Sequence, residues 1–128
     1  METETKDRGK TKRCLRWAAV LLLAALVMAF FFGMLPAFPL AVATGSMEPA
    51  IEIGDAVVVG RTDAEALQEG QVIAYRLDGQ IVVHRITERT ETALGPVFRT
   101  KGDHNNAPDL QEVTADQICG RVLLVVPK

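Results

Sequence analysis

The chain has 128 residues, 48% of them hydrophobic and 23% charged, with a formal net charge of −2 and two cysteines. That length suits one small domain beside a membrane segment and excludes a multidomain reading. The slightly acidic balance excludes nucleic acid as a partner, because phosphate contacts need clustered positive charge.

In chain order, residues 1–16 come first, where Lys6, Arg8, Lys10, Lys12, Arg13 and Arg16 oppose Glu2, Glu4 and Asp7. Without an apolar pattern this segment reads as a disordered basic tail. Residues 17–35 (WAAVLLLAALVMAFFFGML) contain no charge. As a helix they would extend about 28 Å, close to the hydrocarbon thickness of a bilayer. No polar stripe interrupts the run, so a surface-lying amphipathic helix does not fit. Pro36 and Pro39 are expected to end the helix. Basic residues flank only its N-terminal end. The expectation is a single-pass membrane protein with a cytoplasmic N-terminus and the remainder on the extracytoplasmic side. A basic start, an apolar run and Ala41-Val42-Ala43 also fit a cleavable secretory signal. The run exceeds an ordinary signal's apolar region and the tail is long, which favours a retained anchor in the lipid bilayer.

Residues 36–128 carry thirteen acidic and eight basic side chains. Cys14 and Cys119 fall on opposite sides of the anchor, so no disulfide is expected to stabilise this part. A strand-like segment at 39–44 is followed by a β-branched run at 56–61 opened by Gly54-Asp55. Residues 62–70 suit a single helical turn, with Thr62 or Asp63 as its cap and Gly70 as its stop. Strands at 71–77 and 80–89 flank Asp78-Gly79, a strong hairpin signal. A short strand at 96–100, a polar loop at 101–110 and a final strand at 118–126 complete the pattern. The predicted fold is mainly β: a small, antiparallel, partly closed barrel-like domain at 36–128 behind one transmembrane helix.

Three places carry candidate chemistry. Gly45-Ser46-Met47-Glu48-Pro49 puts a serine just beyond the anchor; taken alone it reads equally as a polar turn. His84 sits in Val82-Val83-His84-Arg85-Ile86 and by alternation shares a face with Val82 and Ile86. An imidazole there is either a satisfied core group or, beside a hydroxyl, a general base. The loop Lys101-Gly102-Asp103-His104-Asn105-Asn106-Ala107-Pro108-Asp109 offers two carboxylates without a familiar metal-ligand spacing; turn chemistry is their plain alternative.

Taken together, these segments resemble, in order, the boxes of type I signal peptidases. The matching pieces are Gly45-Ser46-Met47-Glu48-Pro49, Ile53-Gly54-Asp55, Val72-Ile73-Ala74-Tyr75, Val83-His84-Arg85-Ile86, Thr100-Lys101-Gly102-Asp103 with Asp109, and Gly120-Arg121. The common bacterial form carries a lysine where this chain has His84, so the resemblance is to the endoplasmic-reticulum type, also found in archaea and some Gram-positive bacteria. It implies Ser46 as nucleophile, His84 as general base and Asp109 as the acid that orients it, with Asp103 as a second acid. It further implies an oxyanion site at the Ser46 backbone N–H and the Thr44 hydroxyl.

Val42, Ile51, Val82 and Val83 would line shallow pockets for the small side chains of an Ala-x-Ala cleavage signal. Each is equally accounted for as core packing. The implied substrates are preprotein signal peptides, and no cofactor or metal is implied; whether other signal-peptidase subunits take part stays open. Two further readings stand beside this one: a non-catalytic, membrane-tethered β-domain that binds a partner protein, and a metal-dependent hydrolase using His84, His104, Asp103 and Asp109.

Overall fold

The structure is a computed structural model that describes residues 2–31 and 36–128. It divides into two compact units, the first ending at residue 35 and the second formed by Pro36–Lys128. In the first, α1 (Glu2–Phe31) is one continuous helix. Its Gly9–Phe31 portion is long and apolar enough to cross a membrane. The tail expected to be disordered is instead helical from Glu2. The apolar run supplies the costly helix nucleus, and each preceding residue then adds one backbone hydrogen bond at little cost. The expected end of the anchor, at residues 32–35, lies outside the described residues.

The second unit contains β1 (Ala37–Ala41), β2 (Ala56–Gly60), β3 (Val72–Leu77), β4 (Gln80–Thr92), β5 (Gly95–Lys101), β6 (Val113–Thr114) and β7 (Ile118–Val126). All pairings are antiparallel, in the order β1-β2-β7-β3-β4-β5-β6. The sheet is open, with β1 and β6 at its edges, and not the expected partly closed barrel, because β1 and β6 each pair with one neighbour and not with each other. Asp78 and Gly79 both take positive φ between the paired ends Leu77 and Gln80, the conformation a two-residue hairpin requires. The single turn expected at 62–70 is a 3-10 helix, Ala64–Ala66, with Asp63 at its N-cap as expected. Its C-cap is Leu67 and not Gly70, which at φ 86° turns the chain toward β3. The segment expected as a strand at 39–44 is shifted: β1 ends at Ala41, and residues 42–44 leave the ladder.

Side-chain alternation along β3 explains the two cores. Ile73 and Tyr75 join Leu67, Ile86, Phe98 and Val113 in one buried cluster. Ala74, between them in sequence, points the other way and joins Met47, Ile51, Val57 and Val59 in a second. Strand neighbours face opposite sides of the pleat, so β3 is covered on both faces. The β1-β2-β7 wing packs on the second core, and the β4-β5-β6 wing on the first. At roughly 1.5–3 kcal/mol for each large aliphatic or aromatic side chain fully buried, these two clusters are the main attraction holding the wings.

Candidate active site

Ser46 lies in the turn that follows β1. The turn is held by backbone hydrogen bonds from Glu48 N–H to Gly45 O and from Ile51 N–H to Met47 O. Met47 and Ile51, each 2% exposed, anchor it in the second core. The Ser46 side chain is left to meet Thr44 and His84. A second backbone contact comes from the polar loop: His104 N–H donates to Ser46 O at 2.9 Å. Gly102 makes this approach possible, since a Cβ there would lie 2.5 Å from Ser46 O.

His84 stands on β4 opposite Ile73 of β3, on the same face as Tyr75 and Ile86, and is 9% exposed. Its Nε2 lies 3.1 Å from Ser46 Oγ. On its other side Nδ1 lies 2.6 Å from Asp109 Oδ2. A neutral imidazole can donate through Nδ1 and accept through Nε2, which allows Ser46 to donate to His84 and His84 to donate to Asp109. Asp109 is held in turn by Thr100 Oγ1, which donates to Oδ2 at 2.7 Å, and by the Tyr75 hydroxyl at 3.4 Å.

The two acids of the loop therefore have different neighbours. Asp103 accepts both branches of the Arg85 guanidinium, from Nε at 2.9 Å and Nη2 at 2.7 Å. The hydrogen bond from Arg85 holds the Asp103 carboxyl below its ordinary range, against a smaller opposing effect of burial. The same pairing raises the Arg85 guanidinium further above neutrality. Such a bidentate bridge fixes direction as well as charge. Among the described residues, no three His, Cys, Asp or Glu side chains converge as a metal site.

The remaining expected residues surround one groove of about 420 Å³. Thr44 places its hydroxyl 3.4 Å from Ser46 Oγ. Val42, Ile51, Val82 and Val83 line the groove walls together with Ser46 and His84. All four also pack against the cores, so packing and groove lining are not alternatives here. β5 pairs with β4 from Arg85 onward. Among the described residues, the β4 edge at 80–84 that faces away from β3 has no ladder partner. Sequence reasoning singled out neither Thr100 nor Tyr75 as a site residue. Both fall within the matching motifs, and nothing local tells a buried hydroxyl that touches a carboxylate from one that merely packs.

Comparison with known proteins adds three relatives and one family. A family model described as Peptidase S24-like matches residues 28–123. "Signal peptidase I W" of Bacillus subtilis is 38% identical over 79 residues, 60% of this chain and 42% of that protein. "Signal peptidase complex catalytic subunit SEC11" of Scheffersomyces stipitis is 35% identical over 71 residues, covering 54% of this chain and 42% of its own length. The protein of that name from Pyricularia oryzae is 31% identical over 96 residues, 67% of this chain and 56% of its own length. The matched region is thus about half the length of these relatives.

Proposed function

The chain belongs to the Peptidase S24-like family, and on that premise we propose that it is a membrane-bound serine endopeptidase that removes signal peptides from preproteins after small-x-small sites. The observation that carries this reading is the unbroken path Ser46 Oγ, His84 Nε2, His84 Nδ1, Asp109 Oδ2, opening into a groove of modest width. His84 takes the Ser46 proton as Oγ attacks the scissile carbonyl, and returns it to the leaving amine as the peptide bond breaks. Water then attacks the resulting ester by the same proton route in reverse. Asp109 holds the imidazole in the tautomer that this requires and stabilises its charged form. The oxyanion is received by the Ser46 backbone N–H and the Thr44 hydroxyl. Asp103 acts differently: through Arg85 it orders the loop whose Gly102 and His104 press on the Ser46 carbonyl.

An extended substrate adds to the unpaired edge of β4 at 80–84, and residues 42–44 form the facing rim, a β-augmentation mode. Val42, Ile51, Val82 and Val83 restrict the pockets to small side chains. The helix α1 tethers the domain to the bilayer where such substrates emerge, which raises their effective concentration. Orientation follows from the one-sided basic flank, with the N-terminus cytoplasmic and the domain extracytoplasmic.

The deciding experiment is cleavage of a fluorogenic Ala-x-Ala preprotein peptide in detergent micelles. The wild type should cleave it, with or without EDTA, and Ser46→Ala should not while melting at the same temperature. A fully active Ser46→Ala would overturn the assignment, and activity abolished by EDTA would return the metal-dependent reading. Protease added to spheroplasts should reach residues beyond Pro39; protection of the domain would reverse the orientation. Native electrophoresis of the solubilised protein decides whether other subunits accompany it.

A further inference from the structure

Behind His84 lie two buried hydroxyl groups that touch Asp109 and take no part in the proton transfers above. Tyr75 projects from β3 and Thr100 from β5, 2% and 0% exposed. Thr100 grips Asp109 twice: its C=O accepts the Asp109 N–H at 2.8 Å, and its Oγ1 donates to Oδ2 at 2.7 Å. The Tyr75 hydroxyl lies 3.1 Å from Thr100 Oγ1, 3.4 Å from Asp109 Oδ2 and 3.5 Å from His84 Nδ1. Together with His84, three donors converge on a single carboxylate oxygen.

Asp109 itself sits in a loop whose neighbours are exposed, Leu110 at 99%. A second cleft of about 410 Å³, lined in part by Leu77, Leu110 and Glu112, reaches Asp109 and His84. Water entering there competes for the carboxylate, and a loop aspartate with one imidazole bond is free to turn toward it. The buried hydroxyls restrain that freedom: Thr100 Oγ1 would lose its acceptor if Asp109 rotated, and Tyr75, held beside Thr100 Oγ1, would lose its contact with the carboxylate. Burial foremost, and the Asp109 charge in addition, hold the Tyr75 phenol above its ordinary pKa. It therefore stays a donor across the neutral range.

We propose that Tyr75 and Thr100 are positioning residues that lock Asp109 Oδ2 against His84 and so aim the imidazole at Ser46. The inference rests on the peptidase reading above. Its test measures kcat and KM for Tyr75→Phe, Thr100→Val and Thr100→Ser, each alone and combined with Asp109→Asn. A hydrogen bond to a charged group is worth about 1.5–3 kcal/mol, so kcat should fall roughly tenfold in Tyr75→Phe and about a hundredfold in Thr100→Val. KM should stay constant, and Thr100→Ser should recover most of the rate. In the Asp109→Asn background neither variant should lower kcat further, since they act through that carboxylate. Equal losses in both backgrounds, or wild-type rates in folded single variants, would overturn the proposal. If Thr100→Val fails to fold, Tyr75→Phe, which keeps the ring in place, carries the test. The downfield proton resonance of His84 Nδ1 gives a readout independent of turnover. It should be sharp in the wild type and in Ser46→Ala, and broadened in Tyr75→Phe. A resonance unchanged in Tyr75→Phe and Thr100→Val counts against positioning even if no substrate is cleaved, whereas absence of cleavage by the wild type counts against the peptidase reading alone.

Discussion

The two wings of the sheet hold their shares of the site by different means. On the β1-β2-β7 side, Ser46 is fixed through its backbone: turn hydrogen bonds, the buried side chains of Met47 and Ile51, and the His104 N–H on its carbonyl. Among the described residues, its own side chain hydrogen-bonds with His84 and Thr44. On the β4-β5-β6 side, the backbones of His84 and Asp109 are also held, in β4 and by the Thr100 carbonyl. Their side chains, however, are aimed by a network that includes the buried hydroxyls of Tyr75 and Thr100. The difference teaches where each half is vulnerable. Removing a side chain should silence either half without unfolding it, and crowding the backbone at Gly102 should disable the first.

The largest effect expected is from the reacting pair itself. His84→Ala should lower kcat/KM on the order of a millionfold, as residues that act as one unit do, with a thermal melt close to wild type. A substantially active His84→Ala would show that the base has been misassigned. Next comes the contrast between the two acids. Asp109→Asn should fold normally and lose roughly ten-thousandfold in kcat, the cost of losing the orienting anion. A folded, inactive Asp103→Asn together with an active Asp109→Asn would exchange their roles and break the comparison.

A smaller effect tests the backbone half. In Gly102→Ala the new Cβ meets Ser46 O at 2.5 Å, so the turn must shift. Displacement of a reacting group by about 1 Å costs around a hundredfold in rate. The measurement is kcat against the melting temperature, and wild-type activity in Gly102→Ala would show that the nucleophile is not held through its carbonyl. The smallest effect concerns Asp103 and stability. Its carboxyl is held below the ordinary range by Arg85, so the bridge adds stability above the unfolded carboxylate pKa near 4. That contribution is lost as pH falls through the lowered folded-state value. Both partners are partly exposed, and screening limits the gain to about 1 kcal/mol. The melting temperature of Asp103→Asn should lie below wild type at pH 7 and converge with it in strong acid. A difference that persists at low pH would mean that the bridge acts by shape and not by charge.

Several elements were legible because their signal is local. Asp78-Gly79 specifies its turn through φ > 0 at both positions, and the β-branched runs of β2 and β7 fall within a residue of their expected limits. His84 was placed on the face of Val82 and Ile86 by alternation alone. The helical continuation of α1 to Glu2 was missed because composition reports what a segment can bury, not what a neighbouring helix can propagate through it. The two-residue strand β6 was missed because Val113-Thr114 is too short to show a period.

The sequence by itself determined an apolar span, an antiparallel β-domain, and a serine, a histidine and two aspartates as the candidate groups, because periodicity, turn chemistry and residue type act over a few positions. Only the tertiary structure decided how they meet. The insertion of β7 between β2 and β3, the pairing of Asp103 with Arg85, and the buried grip of Tyr75 and Thr100 on the Asp109 carboxylate all join residues far apart in the chain. Asp103 and Asp109 are six positions apart in one loop, with similar local chemistry. What separates them is that Arg85 points to one face of β4 and His84 to the other, so each acid is captured by the group on the face it reaches.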